Sequence, residues 1–251
     1  MDAIIQQTIN DLIVNDNTML DLSYMCLKKL PSNIPSSVKR LYIYHNAIEE
    51  LPSNFDQLFP LLEQLYCHFN CLKVFPNLPS SLQILNISTN TIKELPSNLN
   101  QMCPFLQELY CDGNGIEKLN NNLPSTLLKL YCSDNYLKQL PDNLPSLIEE
   151  LSFSYNQIVE FPLNMPHLRE LFCHGNRYLY VPKRISRRYP LRADKTPNYN
   201  QKVRIIQRVW KAKKCRNIMV QMIHSNDNVL SNCFKSYGDL NIVCLITNYA
   251  Y

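Results

Sequence analysis

The chain repeats itself, and the repeat limits what it can fold into more than any other feature. Set in register on Leu109, one pattern recurs as LYIYHNAIEELP from residue 41, LYCHFNCLKVFP from 65, LNISTNTIKELP from 85 and LYCDGNGIEKLN from 109. It continues as LYCSDNYLKQLP from 130, LSFSYNQIVEFP from 151 and LFCHGNRYLYVP from 171, and a degenerate first copy, LDLSYMCLKKLP, begins at 20. The eight starts are separated by 21, 24, 20, 24, 21, 21 and 20 residues. Self-similarity at such a period describes a stack of like units, each burying against its neighbours what it cannot bury alone.

Each copy opens with a short alternation of inward and outward residues. Leu109 faces in, Tyr110 out, Cys111 in and Asp112 out, as in a half-exposed strand. An apolar residue three positions before each register leucine (Val38, Leu62, Leu82, Leu106, Leu127, Ile148, Leu168) widens the inward face. Eight such strands side by side, about 4.8 Å apart, make a parallel sheet over one continuous core.

Asparagine occupies one further column: Asn46, Asn70, Asn90, Asn114, Asn135, Asn156 and Asn176. It falls where the chain leaves the sheet, and a buried amide there can satisfy backbone groups that the turn would leave unpaired. With only four glycines in 251 residues, this column is the expected turn device. The first copy has Met25 at that place and Asn17 in the upstream apolar position, so it reads as a capping copy. The spacers between copies, such as LPSNIPSSV, LPSNLNQMCPFL and LPDNLPSLI, carry prolines that disfavour α-helix and predict an extended or 3₁₀ outer side.

The pattern LxxLxLxxNxLxxLP resembles the leucine-rich repeat family over about residues 20 to 182. The resemblance implies an α/β repeat fold, a curved solenoid with its parallel sheet on the concave face. The short, proline-bearing copies are similar to those of bacterial effectors and giant-virus repeat proteins, and the richness in asparagine and isoleucine leans towards the latter. The function implied is a non-catalytic surface for a protein partner, in a viral setting one acting on host proteins in host cytoplasm.

A stack of copies exposes apolar area at both ends and needs caps. Ile5, Ile9, Leu12 and Ile13 form a helical stripe, so residues 1–19 are expected to hold an N-terminal capping helix over 2–14. Residues 20–182 then form the eight repeats. Residues 183–251 form a C-terminal extension of different character: from 183 to 216 thirteen Lys and Arg face the single acid Asp194. Residues 1–182 carry eleven basic and eighteen acidic side chains, so the overall +4 conceals two opposed parts. Such asymmetry suggests a charged partner or a contact between the parts.

Cysteine is the first candidate for chemistry. Cys67, Cys111, Cys132 and Cys173 occupy the second inward position, where other copies have Leu22, Ile43, Ile87 and Phe153, and read as small buried hydrophobes. Cys111 and Cys132 lie on adjacent copies, yet parallel side chains about 4.8 Å apart exceed the Cβ separation of roughly 3.5–4.5 Å that a disulfide prefers. Two neighbouring thiols do not make a four-ligand zinc site, and no Ser, His and Asp set stands at a consistent place. The expectation is therefore no cofactor, no metal and no catalysis, in a soluble protein of a reducing, cytoplasmic compartment. The first residues do not read as a signal peptide, no stretch approaches the roughly 18 apolar residues of a membrane helix, and the tail LNIVCLITNYAY is expected to pack on the cap.

The outward columns carry the candidate binding residues. The first contains Tyr42, Tyr66, Tyr110, Tyr131 and Phe172, interrupted by Asn86 and Ser152; the second contains Tyr44, His68, Asp112 and His174, among serines. Tyrosine supplies rigid amphipathic contact area at interfaces, and aromatic neighbours in a sheet also support one another. A partner-binding surface and a structural ladder both fit.

In the extension, Ile206, Gln207, Lys211 and Arg216 resemble an IQ motif with Ala212 in place of its glycine. That resemblance implies a calmodulin-like partner, and Val203, Ile206 and Trp210 form an apolar stripe suited to its groove. The alternatives are a helix that caps the last repeat and contact with nucleic acid or another anionic surface. A ubiquitin-ligase domain like that of related bacterial effectors would need more than the 69 residues after Pro182, and Cys215 has no evident acid beside it.

Overall fold

Three residues centred on each register leucine form one strand. The strands are β1 (Met19–Asp21), β2 (Arg40–Tyr42), β3 (Gln64–Tyr66), β4 (Ile84–Asn86), β5 (Glu108–Tyr110), β6 (Lys129–Tyr131), β7 (Glu150–Ser152) and β8 (Glu170–Phe172). The computed structural model describes residues 2–14, 18–162, 164–177 and 179–180. Within them the eight strands form one parallel sheet in sequence order. Leu20, Leu41, Leu65, Leu85, Leu109, Leu130, Leu151 and Leu171 pair in a single row, so the register of the repeat is the register of the sheet.

The inward columns make one core. The first seven register leucines are buried, as are the upstream apolar residues from Val38 to Leu168 and the second inward residues from Leu22 to Cys173. Each leucine removed from water contributes roughly 1.5–3 kcal/mol. Helix α1 (Asp2–Val14) adds Ile5 and Ile9 to this core beside Leu20 and Leu22, and Asn33 Nδ2 donates to Gln6 Oε1 at 2.8 Å. The side chains of Leu12 and Ile13 lie outside the description, as does the extension from residue 183.

Asparagine ties each copy to the one before it. Asn114 Nδ2 donates to Cys111 O in its own copy (3.2 Å) and to Ile87 O in the previous one (3.0 Å), while its Oδ1 accepts from Ile92 N at 3.1 Å. The same three contacts recur from Asn46, which reaches Leu22 O, Ile43 O and Leu27 N, through Asn176, which reaches Phe153 O, Cys173 O and Ile158 N. Because every amide reaches backward, the first copy has nothing to hold, which accounts for Met25 there.

Asparagine alone does not turn the chain. The residue before it adopts the left-handed conformation in every copy: Tyr24 (φ 59°), His45 (52°), Phe69 (53°), Thr89 (52°), Gly113 (61°), Asp134 (53°), Tyr155 (50°) and Gly175 (72°). From Tyr24 to Tyr155 its N–H donates to the next copy, just past the strand, as from Thr89 N to Asp112 O at 2.7 Å and from Tyr155 N to His174 O at 2.7 Å. Only two of the eight are glycine. At Gly175 a Cβ would stand 2.3 Å from the Tyr155 ring, whereas at Gly113 the nearest atom, Thr89 Oγ1, lies 3.4 Å away.

The outer side is largely extended. Among the described residues it forms helical turns in the two 24-residue copies, where α2 (Phe55–Leu58) and α3 (Leu99–Met102) each make one turn and bury Phe55 and Leu99. The prolines do not prevent this because they stand outside the turns. Pro52 and Pro96 precede the first residues, while Pro60 and Pro104 follow and end the turns by disfavouring helix in the residue before them.

Two stability outcomes follow. Asn114→Ala should cost about 3 kcal/mol in urea unfolding, since it strands buried backbone groups in two copies, whereas Met25→Ala should cost under about 1.5 kcal/mol. Gly113→Ala should cost about the 1–2 kcal/mol of a left-handed residue, and Gly175→Ala clearly more because the Tyr155 ring must also move.

Candidate functional site

The outward residues of the sheet stand in columns one strand spacing apart, which is also a favourable spacing for offset aromatic rings. Tyr42 stacks on Tyr66 with centroids 4.9 Å apart and planes 7° apart, and Tyr44 stacks on His68 at 4.6 Å and 13°. A third column, at the left-handed position, continues the set: Tyr24 stacks on His45 at 4.5 Å, and His45 on Phe69 at 4.2 Å. Tyr24 and Phe69 are exposed. Sequence reasoning missed Tyr24, His45, Phe69 and Tyr155 as a column. The signal was available as the residue preceding each column asparagine.

The later copies are acidic. Glu108 and Glu150, on the position before the register leucine, flank Lys129, whose Nζ lies 3.4 and 3.5 Å from them. Tyr110 donates its hydroxyl to Glu108 at 2.7 Å, and Tyr131 donates to Glu150 at 2.6 Å. Their rings are tilted at 33° with centroids 5.0 Å apart, so these two tyrosines belong to a hydrogen-bonded network as well as to a column. Burial first, then the accepted carboxylate and its charge, push both phenols well above the usual tyrosine range. Tyr66 is raised chiefly by burial.

Asp112 is half-buried and accepts from Ser133 N at 2.7 Å and from Ser88 Oγ at 3.4 Å. Burial raises its carboxyl, and these hydrogen bonds oppose the shift. His68 is held below the usual imidazole range by burial and by His45, and its buried Nδ1 has no hydrogen-bond partner. Phe172 is exposed, and His174 Nδ1 lies 3.0 Å from Ser154 Oγ with its ring edge-on to Tyr155. The sheet thus brings Tyr42, Tyr44, Tyr66 and His68 together, places Tyr110 and Asp112 two copies and Tyr131 three copies beyond Tyr66, and leaves Phe172 and His174 at the far end.

The inward cysteines are packing residues. Cys111 Sγ lies 3.3 Å from Tyr131 O and Cys132 Sγ 3.2 Å from Ser152 O, each thiol donating to the next strand. Burial pushes Cys67 and Cys103 up to about 12, and Cys111 and Cys132 well above the ordinary thiol range, so these groups stay protonated near neutral pH. Among the described residues no cluster of three or more His, Cys, Asp or Glu stands where it could hold a metal ion. No described helix is long and apolar enough to cross a membrane. The IQ-like residues Ile206, Gln207, Trp210, Lys211 and Arg216 lie outside the described residues, as does Cys215.

With this geometry in hand, the chain is similar to several solved structures. YopM from Yersinia enterocolitica matches at 26% identity with a TM-score of 0.58, over 76% of this chain and 50% of that one. A leucine-rich repeat protein of Leptospira interrogans matches at 25% identity and a TM-score of 0.57, over 75% of this chain and 46% of the other. The fold is a leucine-rich repeat solenoid. The repeat part of FLRT2, solved in an octameric complex with Latrophilin 3 and Unc5D, matches at 25% identity and a TM-score of 0.57, over 66% of this chain and 56% of its own. The solenoid therefore spans about half the length of these proteins. No family model and no curated protein sequence matches the chain.

The raised phenols set an alkaline limit. Folded Tyr110 and Tyr131 retain their protons above the unfolded value of 10.0, so their stabilising contribution is constant below pH 10 and is lost as pH rises beyond it. Absorbance titration of tyrosinate should show late-ionising groups that include Tyr110 and Tyr131, and Glu108→Gln should move Tyr110 back towards 10. Ionisation of all tyrosines in a single step near 10 would contradict the network.

Proposed function

We propose that the protein binds a protein partner on the concave face of its solenoid and carries out no reaction of its own. The observation that carries this reading is the placing of aromatics, three of them exposed and His45 half-buried, where they are costly. At the left-handed position a side chain costs about 1–2 kcal/mol relative to glycine, yet Tyr24, His45, Phe69 and Tyr155 all stand there. Stacking returns part of that cost, and strain kept at bulky surface residues points to use of the surface. Beside them Tyr42, Tyr44, Tyr66 and His68 add rigid contact area of the kind that interfaces favour. FLRT2, with the same fold, stands in a complex with Latrophilin 3 and Unc5D. The protonated inward thiols support a binding role over thiol chemistry. A reducing, cytoplasmic setting belongs to the same reading.

The test is affinity capture from cell lysate with identification by mass spectrometry. Replacing Tyr66, Tyr110 and Tyr131 together by alanine should lower recovery of the captured partner about tenfold or more while circular dichroism stays native. Lys93→Glu, outside the outward columns, should leave it unchanged. Equal recovery by the triple variant would overturn the reading.

A further inference from the structure

The aromatic columns stop at the third copy. Tyr66 and His68 each have one ring face covered, by Tyr42 and Tyr44, which turns the opposite faces towards the fourth copy. There the paired residues are small and held down. Asn86 Oδ1 accepts from Ser88 N at 3.1 Å, folding the side chain onto its own strand, and Ser88 Oγ leans to Asp112 at 3.4 Å. Tyr110 stands opposite, on β5, in register with Asn86 and so with Tyr66.

The fourth copy is thus a missing rung. Its flanking rungs are two strand spacings apart, about 9.6 Å, and a planar group placed midway would lie about 4.8 Å from each. That equals the spacing of the existing stacked pairs. The slot has room for one flat group.

Its charge specifies the group. The outward residues of the third, fourth and fifth copies include no Lys or Arg and two carboxylates, of which Glu108 is taken up by Lys129 of the sixth copy and by the Tyr110 hydroxyl, so Asp112 carries the charge that faces the slot. Asp112 is held by Ser133 and by its own backbone, while its contact with Ser88 Oγ is long at 3.4 Å, so an incoming charged donor can take the place of Ser88. An aromatic wall on one side and a partly desolvated carboxylate on the other match a guanidinium, which is flat, permanently charged, stacks on rings and donates in the plane of its fork. A lysine ammonium would meet the carboxylate but not fill the slab, and a neutral flat group would fill it without meeting the charge.

We propose that the slot over Asn86 and Ser88, walled by Tyr66 and His68 on one side and by Tyr110 and Asp112 on the other, receives an arginine side chain of a protein partner. This rests on the concave-face reading and names the chemistry of the partner's anchor. The fourth copy is small so that the partner can supply its rung.

The test uses the full chain, labelled with ¹⁵N, titrated with N-acetyl-arginine amide, N-acetyl-lysine amide and N-acetyl-citrulline amide. The arginine probe should give saturable shifts at the amides of His68, Ser88 and Asp112, with affinity at least about tenfold above the other two. Asp112→Asn, which keeps an acceptor for Ser133 N, should weaken the arginine probe about tenfold or more. Ser88→Tyr, which builds the rung found as Tyr44 and His68 in neighbouring copies, should abolish it. Equal binding of citrulline or lysine, an unaffected Asp112→Asn, or no saturable shift up to about 100 mM arginine probe overturns the slot. Partner capture by the triple tyrosine variant is read separately, so failure of the slot leaves the concave-face reading standing.

Discussion

The solenoid depends on an amide that looks backward. Each column asparagine satisfies a carbonyl in its own turn, a carbonyl in the preceding copy and a backbone N–H of that copy, as Asn135 does for Cys132 O, Cys111 O and Ile116 N. Three polar backbone groups are thereby removed from water without being orphaned. Leaving any of them unpaired would cost about 1–3 kcal/mol. The apolar columns drive the copies together, but leucine against leucine does not fix a register by itself. The amide does, because it has only one place to bond.

Once the register is fixed, side chains one period apart must meet at strand spacing. That constraint turns single aromatic residues into columns: Tyr24, His45 and Phe69 stack because their backbones are held at the same left-handed position, and Tyr42 meets Tyr66 for the same geometric reason. It also sorts the concave face along its length. The early copies present rings, the fourth presents small polar groups, and the copies after it present carboxylates bridged by Lys129. A partner meeting this face would encounter an apolar, a neutral and a negative zone in order.

How much of this the sequence discloses differs by residue. The register leucines, the buried cysteines and the asparagine column are legible because period and residue type say the same thing in nearly every copy. The left-handed column is not, since Tyr, His, Phe, Thr and Asp give no common signal and only Gly113 and Gly175 hint at the backbone there. Tyr110 and Tyr131 are legible as outward residues, but their hydroxyl partners are not. Glu150 is 19 residues from Tyr131 and becomes its neighbour only through stacking. The helical turns α2 and α3 were hidden by prolines that look disruptive in a spacer and prove to be boundaries in space.

The sequence by itself determined the unit, its count, its inward face and its asparagine column, because each copy restates them and burial with hydrogen bonding allows one solution. Tertiary structure decided which outward residues are neighbours and what each does. Tyr131 reaches a carboxylate, Tyr66 stacks on Tyr42, and Asp112 reaches into the next copy to hold Ser133 N. The physical reason is that a residue's period fixes its column, while its contacts come from the copies on either side, which the chain brings together only by stacking.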